Sequence, residues 1–397
     1  MPLELPAVPK MSRSAVIAVA IFLMAHLALL IGLTTPEKFV FDEVHYVPAA
    51  RQMLAPVMSQ PMLNPMHPPL AKELIAASIA AFGDNALGWR YPATLFGALA
   101  IVAIYLCGLA LFAAQGPAIA AALIAAFNQM LYVQARIAML DIFALGFGLL
   151  ATAAFMHGFR RERPHALFAV AGCLFGCAAA CKWSGLFPLG ICIVIVAVIR
   201  LMQGWHTLFA DAKPSDWYRP DLWPDLRVQH VALCFAVLPA LTYLAAFVPL
   251  YGASLPDLIE AQRRIFADNT TTAIAGHTYM SAWPSWPLLA LAVVLRDFIV
   301  ARRWDAFLIA TFYFGSWLAW ALLPRTLGFL YYYLPAATVA SLALVYVLRR
   351  EGLPRWLLWA YVGVAAIGFA VMLPISAAFI GTSMQTFNRL MLFQSWI

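Results

Sequence analysis

The chain has 397 residues, 64% of them apolar and 11% charged, with a formal net charge of +7. A soluble domain of this length could not hide so much apolar surface, and runs near 20 residues with few charges recur, so the class is a polytopic α-helical membrane protein. The segments lack the two-residue alternation of a transmembrane β-barrel. Neither G-x-x-x-x-G-K-[ST] nor G-x-G-x-x-G occurs, which leaves an ATP-driven pump or a nucleotide-sugar enzyme without support.

In chain order, the hydropathy pattern predicts eleven spans, near 14–33, 89–112, 117–134, 138–157, 165–181, 183–201, 230–250, 285–300, 305–323, 329–348 and 356–378. The first follows Lys10 and Arg13, is long for a signal-peptide core and has no small-x-small cleavage site, so it reads as an uncleaved span. This places the N-terminus in the cytoplasm and the C-terminus outside. Arg160, Arg161, Arg163, Arg200, Arg227, Arg296, Arg302, Arg303, Arg349 and Arg350 then all face inward, as the positive-inside rule asks. The net charge is thereby read as topology, with no nucleic-acid partner. The expected organisation is a single membrane-embedded domain, 1–397, with a first outer loop at 34–88, a cytoplasmic connector at 202–229 and a second outer loop at 251–284. Stretches 44–54, 69–82 and "LPDLIEAQRRIFADN" read as helices lying on the membrane surface. The six cysteines all lie in apolar runs, and Cys173, Cys177 and Cys181 share a helix face as small packing residues.

A second set of cations falls at the outer rim, where topology does not require them: Lys72, Arg90, Arg136, Lys182 and Arg325. Carboxylates stand among them. "FDEVHY" carries Asp42 and Glu43 at the mouth of the first span, where partial desolvation makes a carboxylate a better base, or where Asp42 simply caps a helix. In "NPMHPPLAKEL", Lys72 sits near a helix N-terminus that disfavours a cation. It either shares a phosphate with that helix end or pairs with Glu73, and His67 either bonds a ligand or fixes the turn. "ARIAMLDIF" places Arg136 and Asp141 together, where they serve a ligand or pair with each other. Lys182 lies at a break in "CKWSGLF", and Arg325 precedes Tyr332 and Tyr333 in "PRTLGFLYYYLP". Cations at one membrane depth suit a lipid-linked phosphate.

These motifs, with "GWRYP", "HTYMSAWPSWPL" and the closing "RLMLFQSWI", occur in the order seen in protein O-mannosyltransferases, and the chain resembles that family over about 34–397. The resemblance implies a C-type glycosyltransferase fold with its active site and C-terminus on the outer face of the plasma (inner) membrane. It implies a polyprenyl-phosphate-linked mannose donor and a Ser or Thr hydroxyl acceptor on protein, with inversion at the anomeric carbon. Asp42 would be the catalytic base and Glu43 would help position base or acceptor. His67, Lys72, Arg90, Arg136, Asp141, Lys182, Arg325, Tyr332 and Tyr333 would bind the donor's phosphate or sugar. The resemblance requires no cofactor, although related enzymes hold a divalent metal on two acidic residues, here Asp42 and Asp141. Two departures stand out. The second outer loop is too short for the β-trefoil module of eukaryotic members, and the usual "YHYLP" lacks its histidine. A lipid or glycan acceptor, or a transporter of lipid-linked sugar, therefore remains an alternative.

Overall fold

The computed structural model describes residues 12–55, 62–159, 164–208, 227–271, 291–321 and 329–378. The expectations for Arg325, "HTYMSAWPSWPL", "RLMLFQSWI" and most of the 202–229 connector lie outside the described residues.

The described chain is helical almost throughout, and it is a multi-pass membrane protein. Helix α1 (Arg13–Leu30) is capped by Ser12, whose Oγ accepts from Ala15 N. Two helices of the first loop follow, α2 (Glu43–Met53) and α3 (Leu70–Phe82). Asn85 caps α4 (Ala86–Phe112), accepting from Leu87 N and Gly88 N; its 27 residues give about 40 Å, more than the hydrocarbon thickness. The predicted span 117–134 is broken into α5 (Gln115–Ala126) and α6 (Gln129–Gln134), because the Asn128 side chain accepts from Leu131 N and restarts the helix. Then come α7 (Leu140–Gly158), α8 (His165–Cys181) and α9 (Leu186–Leu208).

Helix α10 (Val228–Ala245) contains a π-turn at Leu233–Val237. Surface helix α11 (Leu255–Thr271) precedes α12 (Ala292–Ile299), α13 (Trp304–Leu318), α14 (Leu334–Leu348) and α15 (Trp356–Ser376). Seven helical stretches among the described residues are long and apolar enough to cross a membrane, with α5 and α8 shorter apolar helices beside them.

Helix α7 packs against both α4 and α8, and one large apolar core includes residues from Leu29 to Ala377. α1 and α15 instead expose Leu23, Met24, Leu27, Val364 and Ile367. In a bilayer those side chains face lipid, so their exposure costs nothing. Helix α8 packs closely on α10 beside its cysteines, of which Cys181 is buried and Cys173 and Cys177 partly so. A methyl group on Gly172 would sit 2.0 Å from the Cys234 carbonyl oxygen, and Thr242 Oγ1 donates to Cys173 O at 3.2 Å.

Candidate active site

Three backbone irregularities bring the site together. The first is the entry to α2, where Phe41 takes φ +54 and Asp42 stands at the N-cap. The second is the break between α8 and α9. Lys182 is extended (φ −160, ψ 140) and leads into the 3₁₀ turn Trp183–Gly185. Gly185 approaches α8 so closely that an added Cβ would lie 2.3 Å from the Ala178 carbonyl, so only glycine fits this corner. The third is the 3₁₀ turn Leu330–Tyr333 ahead of α14. At three residues per turn, its tyrosines point in three directions. Tyr331 faces Asp42, Tyr332 stacks on Trp320 (4.4 Å, 6°), and Tyr333 shares a hydrogen bond with Tyr313.

Lys182 Nζ donates to both oxygens of Asp141, at 2.8 and 2.9 Å, and lies 4.8 and 5.4 Å from the ring centres of Tyr332 and Tyr331. Lys182 is buried and Asp141 nearly so, with side chains 5% and 10% exposed. Asp42 is half-buried, with Tyr46 Oη and Tyr331 Oη at 3.4 and 3.5 Å from Oδ2, the outer limit of a hydrogen bond. Desolvation raises the Asp42 pKa from its ordinary value; Lys182 and His45 pull it down, while Asp141 pushes it further up. Asp42, Asp141 and Lys182 thus act on one another as a single charged cluster.

From Asp141 a narrow groove runs along α7 to Thr152, past Leu145 and Leu149, and is walled by α9, α13 and α14 through side chains such as Phe187, Phe312 and Val339. The eleven residue steps from Asp141 to Thr152 correspond to about 16 Å of helix. A charged mouth therefore opens on a deep, mostly apolar slot.

Four of the expected site residues have structural partners of their own. Glu43 is fully buried and saturated: Oε1 accepts from Arg90 Nε (2.8 Å) and Ala138 N (2.9 Å), and Oε2 from Arg90 Nη2 (2.9 Å) and Val40 N (2.7 Å). These bonds brace the loop that carries Asp42. Arg90 uses the remaining donors on the carbonyls of Leu33, Pro36 and Lys38. All five guanidinium N–H groups are thereby engaged, leaving none for a phosphate. Arg136 does not pair with Asp141. Its Nη1 bonds the carbonyls of Leu29 and Ile31, both at 2.6 Å, and so caps the C-terminal end of α1. Lys72 neither pairs closely with Glu73 nor points to open space; its Nζ pins the preceding loop through the carbonyls of Asn64 (2.7 Å) and His67 (2.9 Å).

His67 is half-buried, with its ring 6.1 Å from that of Tyr46, and Tyr333 lies outside the groove lining. A divalent metal on Asp42 and Asp141 does not fit the donor set. Both Asp141 oxygens already accept from an ammonium, and no three His, Cys, Asp or Glu side chains converge among the described residues. Tyr46, Tyr331 and Trp320 belong to the site but were not singled out from sequence. The run of three tyrosines was the available signal for Tyr331.

The overall fold recurs in solved structures. The yeast (S. cerevisiae) protein O-mannosyltransferase Pmt1-Pmt2 complex bound to the sugar donor matches with a TM-score of 0.75 at 12% identity, over 98% of this chain and 93% of that one. ArnT from Cupriavidus metallidurans bound to undecaprenyl phosphate matches with a TM-score of 0.61 at 14% identity, over 92% and 72%. The fold is that of the membrane-embedded C-type glycosyltransferases. Among curated relatives, the polyprenol-phosphate-mannose–protein mannosyltransferase of Mycolicibacterium smegmatis is 29% identical over 245 residues, 54% of this chain and 45% of that protein. That of Corynebacterium glutamicum is 32% identical over 179 residues, 37% and 34%. These alignments span less than half the length of the relatives. Residues 80–250 match the family model for dolichyl-phosphate-mannose-protein mannosyltransferase.

Proposed function

We propose that this protein transfers mannose from a polyprenyl-phosphate carrier to a Ser or Thr hydroxyl of a protein, on the outer face of the cell's inner membrane. The observation that carries the reading is the junction of a desolvated carboxylate, the Lys182–Asp141 ion pair and an apolar slot opening beside them. The polyprenyl chain lies in the slot and the phosphate sits at Lys182. An alcohol is a weak nucleophile at neutral pH, so Asp42 takes its proton as the hydroxyl oxygen attacks the anomeric carbon. The bond from that carbon to the phosphate oxygen breaks on the opposite face, which inverts the centre. Its electron pair stays on the phosphate, where the Lys182 ammonium meets the growing charge; Asp141 holds that ammonium in place. Tyr331 and Tyr332 wall the sugar between Asp42 and Lys182. Glu43, Arg90, Arg136 and Lys72 support the base-bearing loop without touching substrate.

The orientation rests on charge. Arg296, Arg303, Arg349 and Arg350 cluster at one end of the bundle. Cytoplasmic loops collect such residues, which leaves Asp42 on the outer side.

The test is incubation of the purified protein with polyprenyl-phosphate mannose and a Ser/Thr-rich peptide, read by mass spectrometry. Wild type should add a hexose to the peptide, and Asp42→Asn should lose about 10²–10⁴-fold in rate while retaining donor binding. Transfer at the wild-type rate by Asp42→Asn would remove it from the role of base. A hexose found on lipid or glycan in place of peptide would change the acceptor class.

A further inference from the structure

The active-site cluster occupies one end of α7, α13 and α14. At the other end, the last turn of α4, the end of α12, the start of α13 and the end of α14 line a second, half-open cavity of about 580 Å³. The 15 residues of α14 separate its arginines from the tyrosine turn by about 22 Å.

This cavity is built around a buried carboxylate. Asp297 is 4% exposed. It accepts from Tyr346 Oη at 3.0 Å, and Arg296 and Arg350 approach it at 3.3 and 3.5 Å. Asp305 is held by Arg303 through two bonds, at 2.7 and 3.1 Å. Two acidic groups are thus matched by three guanidinium groups. Arg349 is left over: it lies 4.8 Å from the centre of the Phe112 ring, and among the described residues no hydrogen bond or ion pair holds its guanidinium. Topology alone asks only for exposed cations near helix ends. It does not ask for a buried Asp297 that fans arginines around a cavity, nor for an apolar wall from Leu111 and Phe112. Guanidinium groups in this setting, at the depth where spanning helices end, match the phosphate of a lipid headgroup whose chains lie along the helices.

We propose that this cavity binds the phosphate headgroup of an anionic phospholipid in the leaflet opposite the Asp42 site, with Arg349 as the principal contact. Glu351, exposed at the rim, opposes that charge.

The test uses the full chain in non-ionic detergent. Phosphatidylglycerol or phosphatidylcholine is added, and retention is read by native mass spectrometry. Wild type should retain phosphatidylglycerol in preference to phosphatidylcholine. Arg349→Gln should weaken that retention by about fivefold, and Glu351→Gln should strengthen it by a similar factor. Equal retention of both lipids, or no change in either variant, overturns the proposal. Inorganic phosphate at millimolar concentration should not displace the lipid. Displacement would mean a soluble anion is the ligand and would overturn the lipid assignment. If Arg349→Gln fails to fold, Glu351→Gln alone decides the matter.

Discussion

A carboxylate acting as base must be ionised when the substrate arrives, so its environment sets the acid limit of the reaction. Burial raises the Asp42 pKa, while the Lys182 charge restrains it. Transfer should therefore rise with pH through a midpoint above the ordinary aspartate value of about 3.9. Replacing Lys182 by Met removes the restraining cation. The midpoint in the residual activity should then move to higher pH, whereas Asp141→Asn should move it lower, as read from the pH dependence of kcat/KM. The neighbouring carboxylate behaves differently. Glu43 and Arg90 form a buried pair in which removing one partner strands the other. Arg90→Met should cost about 3–5 kcal/mol of stability, visible as a lower Tm, with donor binding by the folded fraction unchanged. Loss of donor affinity at full stability would return Arg90 to the phosphate.

At the scale of elements, the position of Lys182 depends on how α8 ends. Gly185 permits the tight turn into α9, and Gly185→Ala must push α9 away from Ala178. The expected result is a higher KM for the donor, because the ammonium shifts from the mouth of the slot. An unchanged KM would show that the corner can relax.

Helix α3 carries a second pair with its own signature. Burial pushes Lys72 down to about 7 and Glu73 up to about 7. Between the ordinary glutamate pKa and 7, the folded protein holds a proton on Glu73 that the unfolded chain has released, so stability falls as pH rises. Between 7 and the ordinary lysine pKa, the unfolded chain holds a proton on Lys72 that the fold has lost, so stability rises again. Tm against pH should dip near 7. Glu73→Gln should flatten the acid side of the dip and Lys72→Met the alkaline side.

Across the whole molecule, hydropathy made seven of the eleven predicted spans legible as helices long enough to cross a membrane among the described residues, because a long apolar stretch needs no partner to declare itself. Breaks were less visible. The interruption at Asn128 depends on one side chain capping a helix inside an apolar run, and α13 stops after 15 residues. Asp42 and Lys182 could be picked out because each is an ionisable group at the edge of an apolar segment. Composition could not tell which cations serve a ligand and which serve the fold. Arg90 and Arg136 meet carbonyls from α1 and the loop behind it, and such contacts leave no trace in spacing. Tyr331 and Trp320 depend on helix packing in the same way.

The turn at Leu330–Tyr333 works as a rotary distributor, sending consecutive side chains to Asp42, the slot and the neighbouring helix. Such a device tolerates exchange of one aromatic for another far better than a change of count. Inserting a single residue there would hand each address to the wrong tyrosine while leaving α14 intact, and would uncouple a correctly assembled protein from its chemistry.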